Sequence, residues 1–127
     1  MEQFTRFILE RGHYSSNGVK FRAFLPRAEN PKKSVFCIDG LSEEAIWDCA
    51  RWVEEQFTNP DSSEVRARGD FLRGAVQEAG LALEPDAKPH PCHWNIVGWP
   101  AEKEQRTAKA QWLASKATLV VRPETNP

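Results

Sequence analysis

Cysteine is scarce in this chain of 127 residues: Cys37, Cys49 and Cys92 are the three present, and no two of them form a C-x-x-C pair. An odd number at wide spacing argues against the disulfide framework that staples small secreted domains, and fits a reducing compartment. Long apolar runs are missing as well. No stretch approaches the roughly 20 residues that a membrane-spanning helix needs, and no basic segment followed by an apolar run opens the sequence. These absences predict a cytoplasmic protein without membrane association. Neither sign of charge dominates, since 17 Lys and Arg face 18 Asp and Glu for a net charge of -1. Nucleic-acid binding driven by overall charge is thereby disfavoured, although charge can still segregate by face. The phosphate-cradling GxxxxGK[ST], the dinucleotide GxGxxG, the GxSxG elbow and the helical HExxH metal motif are all absent.

What remains is the material of one domain. The length suits a single core, and 40% hydrophobic with 28% charged residues is the balance of a folding chain. Five Trp against one Tyr point to a Trp-rich core or to an aromatic binding surface. Cations concentrate in the first third, where Arg6, Arg11, Lys20, Arg22, Arg27, Lys32 and Lys33 outnumber Glu2, Glu10, Glu29 and Asp39.

Local patterning divides the chain. Residues 4–9 (FTRFIL) read as a strand, and 13–18 (HYSSNG) as a turn, because Asn and Gly tolerate positive φ. Val19, Phe21, Ala23 and Leu25 alternate with Lys20, Arg22 and Phe24, predicting a half-buried strand that pairs as a hairpin with a second at 34–39. Ser42 is a candidate N-cap, followed by Glu43 and Glu44 and then by Ile46, Cys49, Ala50, Val53 and Phe57 at helical spacing. Trp47 and Trp52 fall beside that stripe. Residues 58–63 read as a loop, and a shorter helix is expected from about Asp70 with Gly80 as its stop. Leu81 to Leu83 suggest a short strand. Four prolines between 85 and 100 mark a segment expected to be loop or edge strand. A last helix over about 101–115 and a closing strand at 118–121 complete the reading. The expectation is a single α+β domain over 1–123, with about three helices and a mixed or mostly antiparallel sheet of about 4–5 strands, and a frayed tail at 124–127.

The stretch His90 to Pro100 (HPCHWNIVGWP) is the most unusual, since prolines stiffen a loop that can then hold functional side chains. A metal reading draws on His90, Cys92 and His93 with His13, Asp39 or Asp86. Adjacent residues ligate one ion poorly, so no metal and no cofactor is expected. Cys92 as a nucleophile lacks an evident base, because His93 alternates away from it in extended chain. The stronger reading is acid–base chemistry, for which imidazole titrates in the useful range. His13-Tyr14-Ser15 resembles one half of the paired H-x-S/T signature of two-histidine phosphoesterases, in which each histidine works with a hydroxyl two positions on. His93-Trp94-Asn95 departs from that signature by carrying Asn, and the chain is short for the duplicated fold. Residues 34–50 (SVFCIDGLSEEAIWDCA) and 93–100 (HWNIVGWP) resemble segments of small bacterial proteins of uncharacterised activity, which implies a bacterial origin and no particular chemistry.

The candidate catalytic residues are therefore His13, His93 and Asn95. Ser15, Lys20, Arg22, His90, Trp94 and Trp99 are the candidate ligand-binding residues. Together they predict binding of, or chemistry on, a phosphate-bearing ligand or nucleic acid. The alternative is a non-enzymatic module that meets a protein partner through Trp47, Trp52, Trp94, Trp99 and Trp112.

Overall fold

The computed structural model describes residues 2–56 and 64–123. The expected Phe57, the 58–63 loop and the 124–127 tail lie outside the described residues. Elements follow in the order β1 (Gln3–Ile8), β2 (Tyr14–Ser15), β3 (Gly18–Val19), β4 (Lys33–Cys37), α1 (Glu43–Glu55), β5 (Ala67–Leu72), α2 (Arg73–Glu78), β6 (Ala82–Pro85), β7 (His93–Val97), α3 (Lys103–Lys116) and β8 (Thr118–Val121). Short 3-10 turns span Arg11–His13 and Phe21–Ala23. Six strands form one sheet in the order β6-β7-β4-β1-β5-β8, and β2 and β3 make a separate two-stranded ribbon. Every pairing is antiparallel. The α+β class stands, with one more strand in the main sheet than the sequence suggests.

Strand alternation gives the sheet two faces, each with its own core. Phe4, Ile8, Val35, Phe71 and Ile96 point to one side, where Ala23, Phe24, Val76, Ala110 and Leu113 cover them from the 3-10 turn, α2 and α3. Phe7 and Phe36 point to the other, under Ile46, Trp47, Cys49 and Ala50 of α1. The Ser42 cap is present, its Oγ accepting from the Ala45 N–H at 3.1 Å. Gly80 stops α2 with φ of +74°, a conformation that costs a side chain-bearing residue more than glycine.

Three expectations fail for physical reasons. Beyond Val19, which ends β3, residues 20–25 are no strand, and β4 pairs with β1 and β7 rather than with a preceding hairpin arm. A strand would send Ala23 and Phe24 to opposite sides, yet both are buried; the 3-10 turn turns both inward and leaves Arg22 exposed. Residues 67–72 (ARGDFL) form strand β5, not a helix entry, and α2 begins only at Arg73. Arg68 and Asp70 hide this strand from a hydropathy reading because they are buried as an ion pair at 3.0 Å. The third is β7, an interior strand paired on both sides instead of a loop or an edge. No proline falls within His93–Val97, so β7 keeps all its donors, and Pro85 sits at the end of the edge strand β6.

Candidate functional site

Two polar constellations occupy opposite faces of the sheet, and the histidines that the sequence groups together are divided between them. Lys33 and Ser34 are successive residues of β4, so their side chains point to opposite sides. His13 lies with Lys33, and His93 lies with Ser34. A shared two-histidine centre is therefore not formed.

On the first face, a concave pocket of about 440 Å³ is lined by Arg6, Glu10, His13, Arg22, Arg27 and Lys33, with Phe7, Ile8, Leu9, Ala23 and Leu25. Arg6 reaches it from β1 and Lys33 from β4. The 3-10 turns bring His13 and Arg22. Arg6 is held by backbone carbonyls, its Nε donating to Ala23 O at 3.0 Å and its Nη1 to Ser34 O at 2.9 Å. Lys33 Nζ donates to Leu25 O at 3.2 Å. Glu10 is the one carboxylate of the lining, and its Oε2 lies 3.1 Å from His13 Nε2. Among the described residues, none of Arg6, Arg22, Arg27 and Lys33 has a carboxylate within 4.0 Å.

Crowded, half-buried cations repel one another's protons. Burial, then Arg6 and Arg27, push the Lys33 ammonium down to about 7, with Glu10 opposing. Burial lowers even the Arg6 guanidinium to about 10, again against Glu10. His13 is lowered by burial first, and Lys33, Arg6 and Arg22 add to this while Glu10 opposes it. Each shift points the same way: the pocket disfavours its own positive charge, and Glu10 offsets this only in part.

Of the other expected binders on this side, Lys20 is exposed and outside the pocket lining. Ser15 Oγ accepts from the Asn17 N–H at 3.2 Å within the β2–β3 turn. A larger hollow of about 620 Å³ includes Glu54, Glu64 and Arg122, but there Arg122 is already paired with Glu54 at 2.8 Å.

On the opposite face, period-two alternation along β7 puts His93 and Asn95 side by side, across from Phe36 and Ser34. His93 Nδ1 lies 3.0 Å from the backbone O of Asp86. A carbonyl only accepts, so Nδ1 carries a proton; in a neutral ring that leaves Nε2 as the acceptor for the Ser34 hydroxyl, whose Oγ lies 2.6 Å away. The Asp86 carboxylate stands 3.6 Å from Nδ1 and accepts from Asn95 Nδ2 at 3.3 Å. His93 and Asn95 are buried whereas Ser34 is exposed. The sequence offers Asp86 beside His93 only as a metal co-ligand, and gives Ser34 no role there. The readable signal was alternation alone, which places a serine at the start of one strand and an H-x-N in another on one face.

His90 stands next to this group, with its ring centroid 5.4 Å from that of Phe36 and 4.9 Å from that of Trp52. Its Nδ1 accepts from the Cys92 N–H at 3.0 Å. Burial and the neighbouring His93 lower its pKa. The expected ligand contacts of Trp94 and Trp99 give way to packing. Trp94 meets Phe4 edge-on at 5.4 Å, and Trp99 is buried with its Nε1–H donating to Ile96 O at 2.9 Å. Trp47 is buried beneath Arg68, 5.0 Å from the ring centroid. Trp112 is the exposed tryptophan among the described residues, so the five do not gather into one aromatic surface. No described helix is long and apolar enough to cross a membrane. No protein-family model, curated protein or solved structure matches the chain.

Proposed function

We propose that this protein binds a small phosphate-bearing ligand in the pocket formed by Arg6, His13, Arg22, Arg27 and Lys33. The observation that carries the reading is the convergence of four cationic side chains and a histidine on one hollow with a single carboxylate. Unbalanced cations in a concave, partly dry site are stabilised by an anion, and guanidinium groups match phosphate oxygens geometrically. A volume of about 440 Å³ is of the size that takes small-molecule ligands, and it suits one or two nucleotide units better than a duplex surface.

The test uses inorganic pyrophosphate and a dinucleotide as probes in calorimetry. Arg22 and Arg27 are exposed, so replacing them leaves the core intact. Arg22→Ala and Arg27→Ala are each expected to weaken binding about tenfold, the equivalent of one charge-assisted hydrogen bond, and affinity should fall as salt rises. Wild-type protein that binds neither probe, or a double variant that binds both unchanged, would overturn the reading.

A second reading has one specific support, the 2.6 Å Ser34–His93 contact. With Nδ1–H committed to Asp86, His93 is in the tautomer that can take the Ser34 proton, which makes the exposed hydroxyl a candidate nucleophile. A fluorophosphonate probe should then label wild-type protein and spare both Ser34→Ala and His93→Gln. Absence of labelling at Ser34 removes this reading and leaves the anion pocket untouched.

A further inference from the structure

Cys49 lies on the buried face of α1, while His90 and Cys92 lie in the segment leading into β7. One ligand atom from each of the three falls within 4.8 Å of the others. We propose that Cys49, His90 and Cys92 form a binding site for Zn2+, with the fourth position of the tetrahedron open to water. Sequence spacing suggested His93 as the partner of His90 and Cys92; alternation instead turns His93 to Ser34, and a cysteine from a distant helix takes its place.

The donor set selects the ion. Two thiolates and an imidazole are the soft and borderline ligands that favour zinc over calcium or magnesium. Zn–S bonds of about 2.3 Å put tetrahedral sulfurs about 3.7 Å apart, so the three groups need to close by no more than about 1 Å. Charge also fits the surroundings. Cys49 is buried and Cys92 packs against the same apolar cluster as Phe36 and Trp52, where an isolated ion would be costly. A dication with two thiolates carries no net charge, provided that both thiol protons leave for solvent as the metal enters. Part of the frame is already built, since Cys92 O accepts from the Cys37 N–H at 2.8 Å and the His93 N–H is bound to His90 O at 3.0 Å.

Metal entry has one required local consequence. His90 Nδ1 now accepts from the Cys92 N–H. If Nδ1 ligates, its lone pair is taken; if Nε2 ligates, the neutral ring must hold its proton on Nδ1. Either way the Cys92 amide loses its acceptor.

The experiment titrates reduced, metal-free protein with Co2+ and then Zn2+. The expected result is one Co2+ per chain, with the visible absorption of a tetrahedral ion and thiolate-to-metal charge transfer, bleached by one equivalent of Zn2+. The Cys92 amide resonance should move, and Trp52 fluorescence should respond because its ring touches His90. Cys92→Ser and His90→Gln, both at half-buried positions, should each weaken Co2+ binding by about tenfold or more, given the worth of one ligand. Cys37→Ser should change nothing, since that side chain packs on the opposite core. The proposal is overturned by a six-coordinate Co2+ spectrum, by Co2+ affinity and thiolate charge transfer that are unchanged in Cys92→Ser, or by a tetrahedral spectrum that disappears in Cys37→Ser. It is overturned equally if a Cys49–Cys92 disulfide forms as readily with Zn2+ present as without it.

Discussion

Ligand binding in the basic pocket should take up a proton, and the amount follows from Lys33. In the free protein its ammonium titrates near 7, because burial, Arg6 and Arg27 all act against the charge and only Glu10 favours it. At pH 8 the fraction protonated is then about 0.1, by ordinary titration from that midpoint. A phosphate seated among Arg6, Arg22, Arg27, His13 and Lys33 adds negative charge that stabilises the ammonium. If its pKa returns to the usual value of about 10.4, Lys33 becomes fully protonated and binding takes up about 0.9 proton. The sign follows directly. The bound state holds more protons than the free state, so affinity falls as pH rises above about 7, approaching a tenfold loss per pH unit near pH 8. At pH 6 the uptake at Lys33 shrinks to about 0.1 proton, since the free ammonium is already charged. Burial and its cationic neighbours hold the His13 pKa below the usual imidazole value against Glu10, so its own uptake is confined to the acid side and contributes little at pH 8. Calorimetry in buffers of different ionisation enthalpy measures the count. A dinucleotide is the suitable probe because a phosphodiester keeps one fixed charge across this range. Uptake near zero at pH 8 with binding intact would refute the reasoning, as would undiminished uptake in Lys33→Met.

Other consequences concern the frame behind the pocket. Arg68 is 3% exposed and is held by Asp70 and by Glu43 Oε2 at 2.6 Å; burial opposes its charge, but these bonds outweigh burial and raise its pKa. Asp70→Ala removes one of the two carboxylates on Arg68 and leaves Glu43, so it should lower unfolding stability in urea by about 1.5–3 kcal/mol, the worth of a hydrogen bond to a charged group, and a loss under about 1 kcal/mol would show the pair to be dispensable. Gly69 admits Val19 so closely that an added Cβ would stand 3.0 Å from Val19 Cγ2. Gly69→Ala is therefore expected to cost about 1–3 kcal/mol, and Val19→Ala should recover part of that loss in a double-mutant cycle. Ser42→Ala should cost about 1 kcal/mol through the lost cap of α1, read from the shift of the thermal midpoint.

Much of the frame could be read from local chemistry. The Ser42 cap, the Ile46-Cys49-Ala50 stripe, the Gly80 stop and the TLVV strand all follow from rules that operate within one or two turns of chain. The strands β5 and β7 could not be read that way. Arg68 and Asp70 become acceptable in a core only through each other and Glu43, and the polar His93 and Asn95 only through Ser34 and Asp86. Arg68 and Asp70 are only two residues apart, but a charged pair at strand spacing reads as a solvated face, and Glu43 and Ser34 lie too far along the chain from Arg68 and His93 to leave a periodic trace. The candidate site shows the same division. The excess of cations in the first third was countable, and four of the seven line the pocket. That Arg22 would leave a β-like alternation to join them required the 3-10 turn. Joining His13 to His93 was the natural inference from two similar triplets, yet side-chain alternation on β4 keeps them on opposite faces.

The placement of β1 at the centre of the sheet carries a consequence for how the chain assembles. Its two ladders tie Phe4 to Cys37 on one side and to Phe71 on the other, so neither is closed by a short turn. β4 reaches equally far, to β7. Among the described residues, only the β2–β3 ribbon and the β6–β7 pair join strands that are near neighbours in sequence. The entropy of closing long loops must therefore be met before the central hydrogen bonds form, as in other folds of high contact order. Both cores share β1, Phe4 and Ile8 belonging to one and Phe7 to the other. A fragment lacking β5 would leave β1 with an open edge and both apolar faces partly bare, the condition under which strands pair with the wrong chain. The two faces that hold the separate candidate sites are thus bound to a single assembly event.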